Sequence, residues 1–280
     1  MTGPRRQGTI AFVATSAPSR SADCRSRDDW PAGRVLVVAA TYNERETIAA
    51  LIAGVLSAAD DLQLLIVDDD SPDGTGTFAL AAAESEHRLH VLVRRGRRGL
   101  GGAILEGFRL GSQRGFEIGL NMDGDLSHDP ADIPRLLAAM NPLGGRAADV
   151  AVGSRRVPGG RTVGWPLSRH VVSRLVCWFT RWVVGVPVRD ASSGFRAVRL
   201  ALLDRLPGEF ASGYAFFEEL LWAVHRAGGR IVEVPITFTN RELGTSKAGL
   251  RASAEGAWHL LRLAVAARLQ KPDRSLLQDG

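Results

Sequence analysis

From residue 35 onward the chain alternates short apolar runs with longer stretches of helical periodicity, the signature of a mostly parallel sheet flanked by helices. Residues 35–40, 62–67, 89–93, 116–122 and 150–153 read as buried strands. Helices are predicted over 45–57, from the turn Ser71-Pro72-Asp73-Gly74 through 84, and over 101–111 and 133–140. This is half of a doubly wound α/β fold, whose ligand crevice is expected at the carboxyl ends of the strands. Beyond Gly153 come loops, Arg-rich helical segments and an apolar strand over 231–238, so the second half elaborates on a single domain spanning 35–250. Within it, 165–184 places Val171, Val172, Leu175, Trp178, Phe179, Trp182 and Val183 beside Arg169, Arg174 and Arg181. That stretch reads either as a core helix with solvated arginines or as a helix lying in a membrane interface. Residues 251–280 continue as an amphipathic helix and polar tail, in which Trp258, Leu260, Leu261, Leu263 and Val265 alternate with Arg and His too often to span a bilayer.

Composition narrows the class without deciding it. The 280 residues are 45% hydrophobic and 23% charged, enough for a sizeable core. Cys24 and Cys177 are far apart with no C-x-x-C pair, which excludes a disulfide scaffold and a zinc knuckle and fits a reducing cytoplasm. No run free of Asp, Glu, Lys and Arg exceeds thirteen residues, against the roughly 17–25 that a spanning helix needs. One such run, 7–19, contains Thr, Ser and Pro and is soon followed by charges, which argues against a secretory leader. Residues 1–34, with six Arg against three Asp, are expected to be a disordered extension. The formal net charge of +5 has no concentrated basic run with interleaved aromatics, so nucleic acid is not the expected partner. Only Lys247 and Lys271 are lysines among the 35 cations, a bias that either GC-rich coding or Arg chemistry toward phosphate explains.

The chemistry collects at the predicted strand ends. Thr41-Tyr42-Asn43-Glu44 follows the first, Asp68-Asp69-Asp70 the second, Arg94-Arg95-Gly96-Arg97-Arg98 the third and Asp123-Gly124-Asp125 the fourth. Any one acidic cluster has an ordinary reading as a helix cap, but four polar clusters along one sheet edge point to a site. The first strand lacks G-x-G-x-x-G and no Gly-Lys-Ser/Thr is present, which leaves neither a dinucleotide fingerprint nor a P-loop. Two carboxylates one residue apart, Asp123 and Asp125, are hard oxygen ligands suited to Mg²⁺ or Mn²⁺ on a diphosphate.

Eight motifs in order then make the chain resemble the polyprenyl-phosphate (dolichyl-phosphate) mannose synthases, inverting family 2 glycosyltransferases of GT-A fold, over about residues 35–250. They are Thr41-Tyr-Asn-Glu-Arg-Glu46, Ile66-Val-Asp-Asp-Asp-Ser-Pro-Asp-Gly-Thr75, Gly99-Leu-Gly101, Met122-Asp-Gly-Asp-Leu-Ser-His-Asp-Pro130, Gly153-Ser-Arg155, Ser193-Gly-Phe-Arg196, Glu233-Val-Pro-Ile236, and Arg241 with Gly244-Thr-Ser-Lys247. The last four distinguish lipid-phosphate mannose synthases from other family 2 enzymes.

The resemblance implies a GT-A sheet that binds a nucleotide sugar, with Thr41, Tyr42, Glu44, Asp68 and Asp69 around the nucleotide. It implies Asp123 and Asp125, with Ser127 as a further oxygen, holding the metal on the diphosphate of GDP-mannose. Arg155, Arg169, Ser173, Arg241 and Lys247 fall to substrate contacts, the three arginines and Ser173 to the acceptor phosphate, and Asp125, Arg155, Arg169 and Arg241 to catalysis. Arg169 and Ser173 are four apart, so on a helix they share a face. The implied acceptor is a polyprenyl phosphate lipid, which places the enzyme peripherally on the cytoplasmic face of a membrane, by the 165–184 helix or a separate anchor protein. A different donor such as UDP-glucose, or an inactive GT-A module that binds lipid or partner, are the alternatives. Ala40, Thr47, Arg98, Gly124, Phe217 and Asn240 depart from the residues usual in that family.

Overall fold

The computed structural model describes residues 23–24, 33–142, 145–206, 210–240 and 250–269. The first half is a run of β–α units. Strands β2 (Val35–Thr41), β3 (Leu62–Asp68), β4 (Leu89–Val93) and β5 (Ile118–Asn121) alternate with helices α1 (Ile48–Ala58), α2 (Thr75–Ala83) and α3 (Leu100–Gln113), while β1 (Asp23–Cys24) pairs antiparallel with the outer edge of β4. Thus two residues of the expected N-terminal extension join the sheet; the rest of 1–32 lies outside the described residues. Helix α4 (Ile133–Met140) and strand β6 (Val150–Ser154) follow. The second half adds β7 (Arg161–Val163), α5 (Leu167–Phe179) continued by a π-helical turn Thr180–Val184, β8 (Arg196–Arg199), α6 (Phe216–Arg226), β9 (Ile231–Pro235), β10 (Thr237–Thr239) and α7 (Leu250–Leu269).

The main sheet runs in the order β1-β4-β3-β2-β5-β8-β6-β9. β2, β3, β4 and β5 are mutually parallel, as are β6 and β9; β8 runs antiparallel between β5 and β6. The strand order reverses at β2, between β3 and β5, which makes the gap beyond Thr41 and Asn121 the switch point where open α/β sheets bind ligands. Successive strand residues face opposite layers: Val35, Val37 and Ala39 join α1, α2 and α4 in one core, Leu36 and Val38 join α3 and α6 in the other. With both faces covered, the parallel strands are mainly apolar, and the buried Gln63 and His90 within them bond each other.

Two local readings change. Helix α1 starts at Ile48, not residue 45, because the Glu44 and Arg45 amides are bonded by Thr75 Oγ1 and Asp73 Oδ2, each at 3.0 Å, and Asn43 turns left-handed at φ 56°. The run 231–238 is two strands, since the chain leaves β6 at Pro235 and joins β7 at Thr237, with Ile236 bonded to both neighbours. Strand β8, bracketed by arginines in Arg-Ala-Val-Arg, has no apolar run to announce it.

Candidate active site

The parallel strands bring their carboxyl ends to one edge, and antiparallel β8 brings its amino end there, so every motif named above within the described residues lies along it. All three non-glycine residues with left-handed φ among the described residues, Asn43, Asp70 and Leu126, sit in the loops of this edge. Such conformations cost energy and persist where surrounding contacts enforce them. Here the enforcing contacts are visible: Asn43 and Ser71, Glu44 and Thr75, and Arg45 and Asp73 join the loops after β2 and β3 through three backbone-to-side-chain bonds.

Asp68 organises these loops. It is 1% exposed and accepts bonds from Thr41 Oγ1 at 2.9 Å, the Ser71 amide at 2.9 Å and Ser71 Oγ at 2.5 Å. Thr41 is equally buried, its hydroxyl spent on Asp68. Asp69 reaches the other way, accepting from the Gly99 amide at 2.9 Å and lying 3.3 Å from Arg94, which also pairs with Glu106. Burial holds the Asp69 carboxyl above its ordinary range despite Arg94 and Gly99. Tyr42 is half-buried, with the Arg98 guanidinium 4.4 Å above its ring. Gly101 has no room for a side chain, because a Cβ would sit 2.5 Å from the Phe216 Cβ and collide with the Ala211 carbonyl.

Asp123 and Asp125 follow β5. Asp125 Oδ1 accepts from the Ser127 amide at 3.0 Å, which closes the Leu126 turn; Ser127 itself is buried, its carbonyl bonded by the Thr239 amide. Asp123 packs so closely on Gly194 that a Cβ there would lie 2.9 Å from its Oδ1. Burial, reinforced by the Asp125 charge, pushes the Asp123 carboxyl up, while His128, Arg155 and Arg169 oppose it. His128 is 1% exposed, stacked on Phe195 and edge-on to Phe238, and burial pushes its imidazole below the ordinary histidine range against the pull of Asp123 and Asp125. Among the described residues no group of three or more His, Cys, Asp or Glu encloses a cation. Two hard carboxylates one residue apart, one of them disfavoured as an anion chiefly by burial, are donors of the kind that suits Mg²⁺ or Mn²⁺ completed by phosphate and water.

Arg155 ends β6 in a buried fork. Its Nε and Nη2 donate to Asp190 at 2.8 and 2.7 Å, Nη2 also reaches Ser192 Oγ at 2.9 Å, and its amide bonds Asp190 at 2.9 Å. Burial opposes ionisation of Asp190, but the bonds and charge of Arg155 prevail and hold its carboxyl below the ordinary range. Glu233, from the Glu-Val-Pro-Ile motif, accepts the Arg189 and Asp190 amides at 2.8 and 3.0 Å and so carries the turn that presents Asp190. Arg155 and Arg169 both lie on Trp165, 4.9 and 4.3 Å from its centroid, and Arg169 donates to Asn240 at 3.2 Å. Ser173 does share the inward face of α5, but its hydroxyl is taken by Arg156 at 2.8 Å and Ser192 at 2.9 Å. Arg241 and Lys247 lie outside the described residues.

Several contributors were not singled out as site residues in the sequence. Asp190 and Ser192 stand before the Ser-Gly-Phe-Arg motif with no pattern of their own. Arg196 within that motif is 1% exposed and bonds the carbonyls of Ala191 and Ser193 in its own loop and of Phe217 on α6, so it ties the loop to that helix. The departures from the family pattern find partners: Thr47 Oγ1 donates to the Gly124 carbonyl at 2.9 Å, and Phe217 lies under Arg196.

A doubly wound sheet with paired acids at its switch point and two arginines along the same edge is the frame of a GT-A glycosyltransferase. The profile described as Glycosyl transferase family 2 matches residues 36–206. The chain is 41% identical over 237 residues to the undecaprenyl-phosphate mannosyltransferase of Micrococcus luteus, covering 84% of this chain and 96% of that protein. It is 41% identical over 249 residues to the polyprenol monophosphomannose synthase of Mycolicibacterium smegmatis, covering 88% and 87% respectively. Glucosyl-3-phosphoglycerate synthase from Mycobacterium tuberculosis, solved with Mn²⁺, UDP and glucosyl-3-phosphoglycerate, superposes with TM-score 0.62 at 23% identity over 83% of this chain and 80% of that one, a likeness of fold. The chain belongs to glycosyl transferase family 2 and, within it, to the polyprenyl-phosphate mannose synthases.

Proposed function

We propose that the enzyme transfers mannose from GDP-mannose to a polyprenyl monophosphate at the cytoplasmic face of a membrane, with inversion at the anomeric carbon. The observation that carries the reading is one strand edge that holds two acids, Asp123 and Asp125 after β5, and two cations, Arg155 and Arg169, stacked together on Trp165. An acceptor phosphate oxygen forms the new bond to the anomeric carbon as the bond to the GDP diphosphate breaks. A phosphate monoester is already anionic at neutral pH, so no group needs to remove a proton. What the site must do is hold two anions together, and that is the task of the arginines. Asp123 and Asp125 would hold Mg²⁺ or Mn²⁺, which supplies charge stabilisation for the leaving diphosphate.

No helix among the described residues is long and apolar enough to cross a bilayer. The approach to the lipid is supported instead by apolar side chains left in water on α5 and α7: Leu167 is 79% exposed, Trp182 68% and Trp258 62%. Incubating the enzyme and Mg²⁺ with a short polyprenyl phosphate and a panel of GDP- and UDP-sugars tests the proposal. Product from GDP-mannose above all other donors is expected; product from UDP-glucose alone would reassign the donor, and nucleotide binding without any product would make the protein a binding module.

A further inference from the structure

Between Asp149 and Asp190 the chain carries seven arginines and no acidic residue. Arg155 and Arg169 belong to the site above. Three others, Arg174, Arg181 and Arg189, converge with Arg156 on a solvent-open concavity of about 390 Å³, whose wall is completed by Cys177, Trp178 and Trp182. No acid lines it. Arg156 points its Nη2 at Ser173 and leaves its buried Nε without a hydrogen-bond acceptor, 3.8 Å from the Asp190 carboxylate that Arg155 already holds. Arg181 leans on the Trp182 ring at 5.5 Å. Among the described residues, Arg174, Arg181 and Arg189 make no side-chain ion pair, and of the four arginines that line this space only Arg156 has a carboxylate within 4 Å, so like charges gather with little to offset them.

We propose that this concavity is a second anion site, separate from the sugar-transfer site, that takes the phosphate of an anionic membrane phospholipid. Guanidinium groups bind phosphate by charge and planar hydrogen bonding, which selects the ligand's chemistry. The rim selects its source. Trp178 is 57% exposed, and Val172 and Leu175 beside it on α5 are each 60% exposed, so the pocket opens on an apolar, aromatic face of the kind that settles at headgroup depth. A soluble phosphate ester gains nothing from that rim, whereas a lipid fills the pocket with its headgroup and lays its chains along the rim. The inference rests on the membrane-surface reading above and adds to it a lipid class and a pocket.

The test is flotation of the full chain with acceptor-free vesicles of phosphatidylcholine, alone or mixed with phosphatidylglycerol. The variant Arg174→Gln/Arg181→Gln/Arg189→Gln is compared with a control of equal charge loss at exposed arginines, Arg109→Gln/Arg146→Gln/Arg205→Gln. Each arginine at an anionic surface strengthens binding roughly fivefold, so the pocket variant is expected to bind the mixed vesicles on the order of a hundredfold more weakly than wild type. The control is expected to stay near wild type, and both variants to keep the wild-type melting temperature. Equal binding by pocket variant and wild type, or equal losses in both variants, would overturn the proposal. So would displacement of the protein from the vesicles by inorganic phosphate at constant ionic strength, which would make the ligand soluble. Transfer to a short polyprenyl phosphate in detergent, without phospholipid, is read separately. Its absence in wild type counts against the proposed function, whereas its persistence in the pocket variant is expected here.

Discussion

Asp123 and Asp125 are separated by one residue yet have different surroundings. Asp123 is pressed against Gly194 and His128, whereas Asp125 sits in its own turn and accepts the Ser127 amide. Replacing Asp125 by Ala removes the bond from the Ser127 amide, worth roughly 1 kcal/mol, without opening the core. Mannosyl transfer in Mg²⁺ or Mn²⁺ is expected to fall to background while the melting temperature moves by only a few degrees; near-normal turnover would remove the metal assignment. A second residue behaves differently. Glu218 on α6 is buried beside Arg196, and burial raises its pKa to about 7 against the pull of that guanidinium. A raised carboxyl pKa gives stability that is fully present below the unfolded value and is lost as pH rises through the folded one. Glu218→Gln is thus expected to melt with wild type near pH 5 and a few degrees above it near pH 8, as a calorimetric pH series would record. A constant difference at both pH values would exclude titration of Glu218 as the cause. The sequence marked Asp68 and Asp69 as a pair, but their division of labour depends on where each points: Asp68 into its own loop, Asp69 toward Gly99 and Arg94.

At the scale of elements, the parallel half was legible because both faces of each strand are covered, which leaves continuous apolar runs. Strand β8 was not, because it opens on the buried Arg196, whose charge is met by the carbonyls of Ala191, Ser193 and Phe217, which only the folded loop and α6 bring together. The same loop delivers Asp190 to Arg155. Removing one charge of a buried pair strands the other, at about 3–5 kcal/mol. Asp190→Asn is accordingly expected to lower the melting temperature by several degrees, and to raise the KM for the acceptor more than that for GDP-mannose, because Arg155 loses its fork. Unchanged acceptor kinetics in a destabilised protein would limit Asp190 to a structural role.

For the whole molecule, α5 with its π-helical turn and α7 pack together and leave an apolar face uncovered. Burying a Val or Leu side chain contributes about 1.5–3 kcal/mol, so Val172→Ser with Leu175→Ser is expected to reduce transfer to a long acceptor in vesicles by at least about tenfold. Transfer to a short acceptor in detergent should change less than about twofold; equal losses on both would point to the fold and away from the membrane. Amphipathicity alone left this helix between core and interface, because the same periodicity serves either. What the sequence determined by itself was the order of strands and helices in the parallel half and the edge at which polar clusters gather, since buried runs and strand-end clusters are local patterns. Only the tertiary structure decided which arginines are spent on internal acids, which face an open pocket, and which side of α5 stays in water. Those depend on neighbours dozens of residues away, such as Asp190 for Arg155 and Arg189 for Arg156, that no local spacing records.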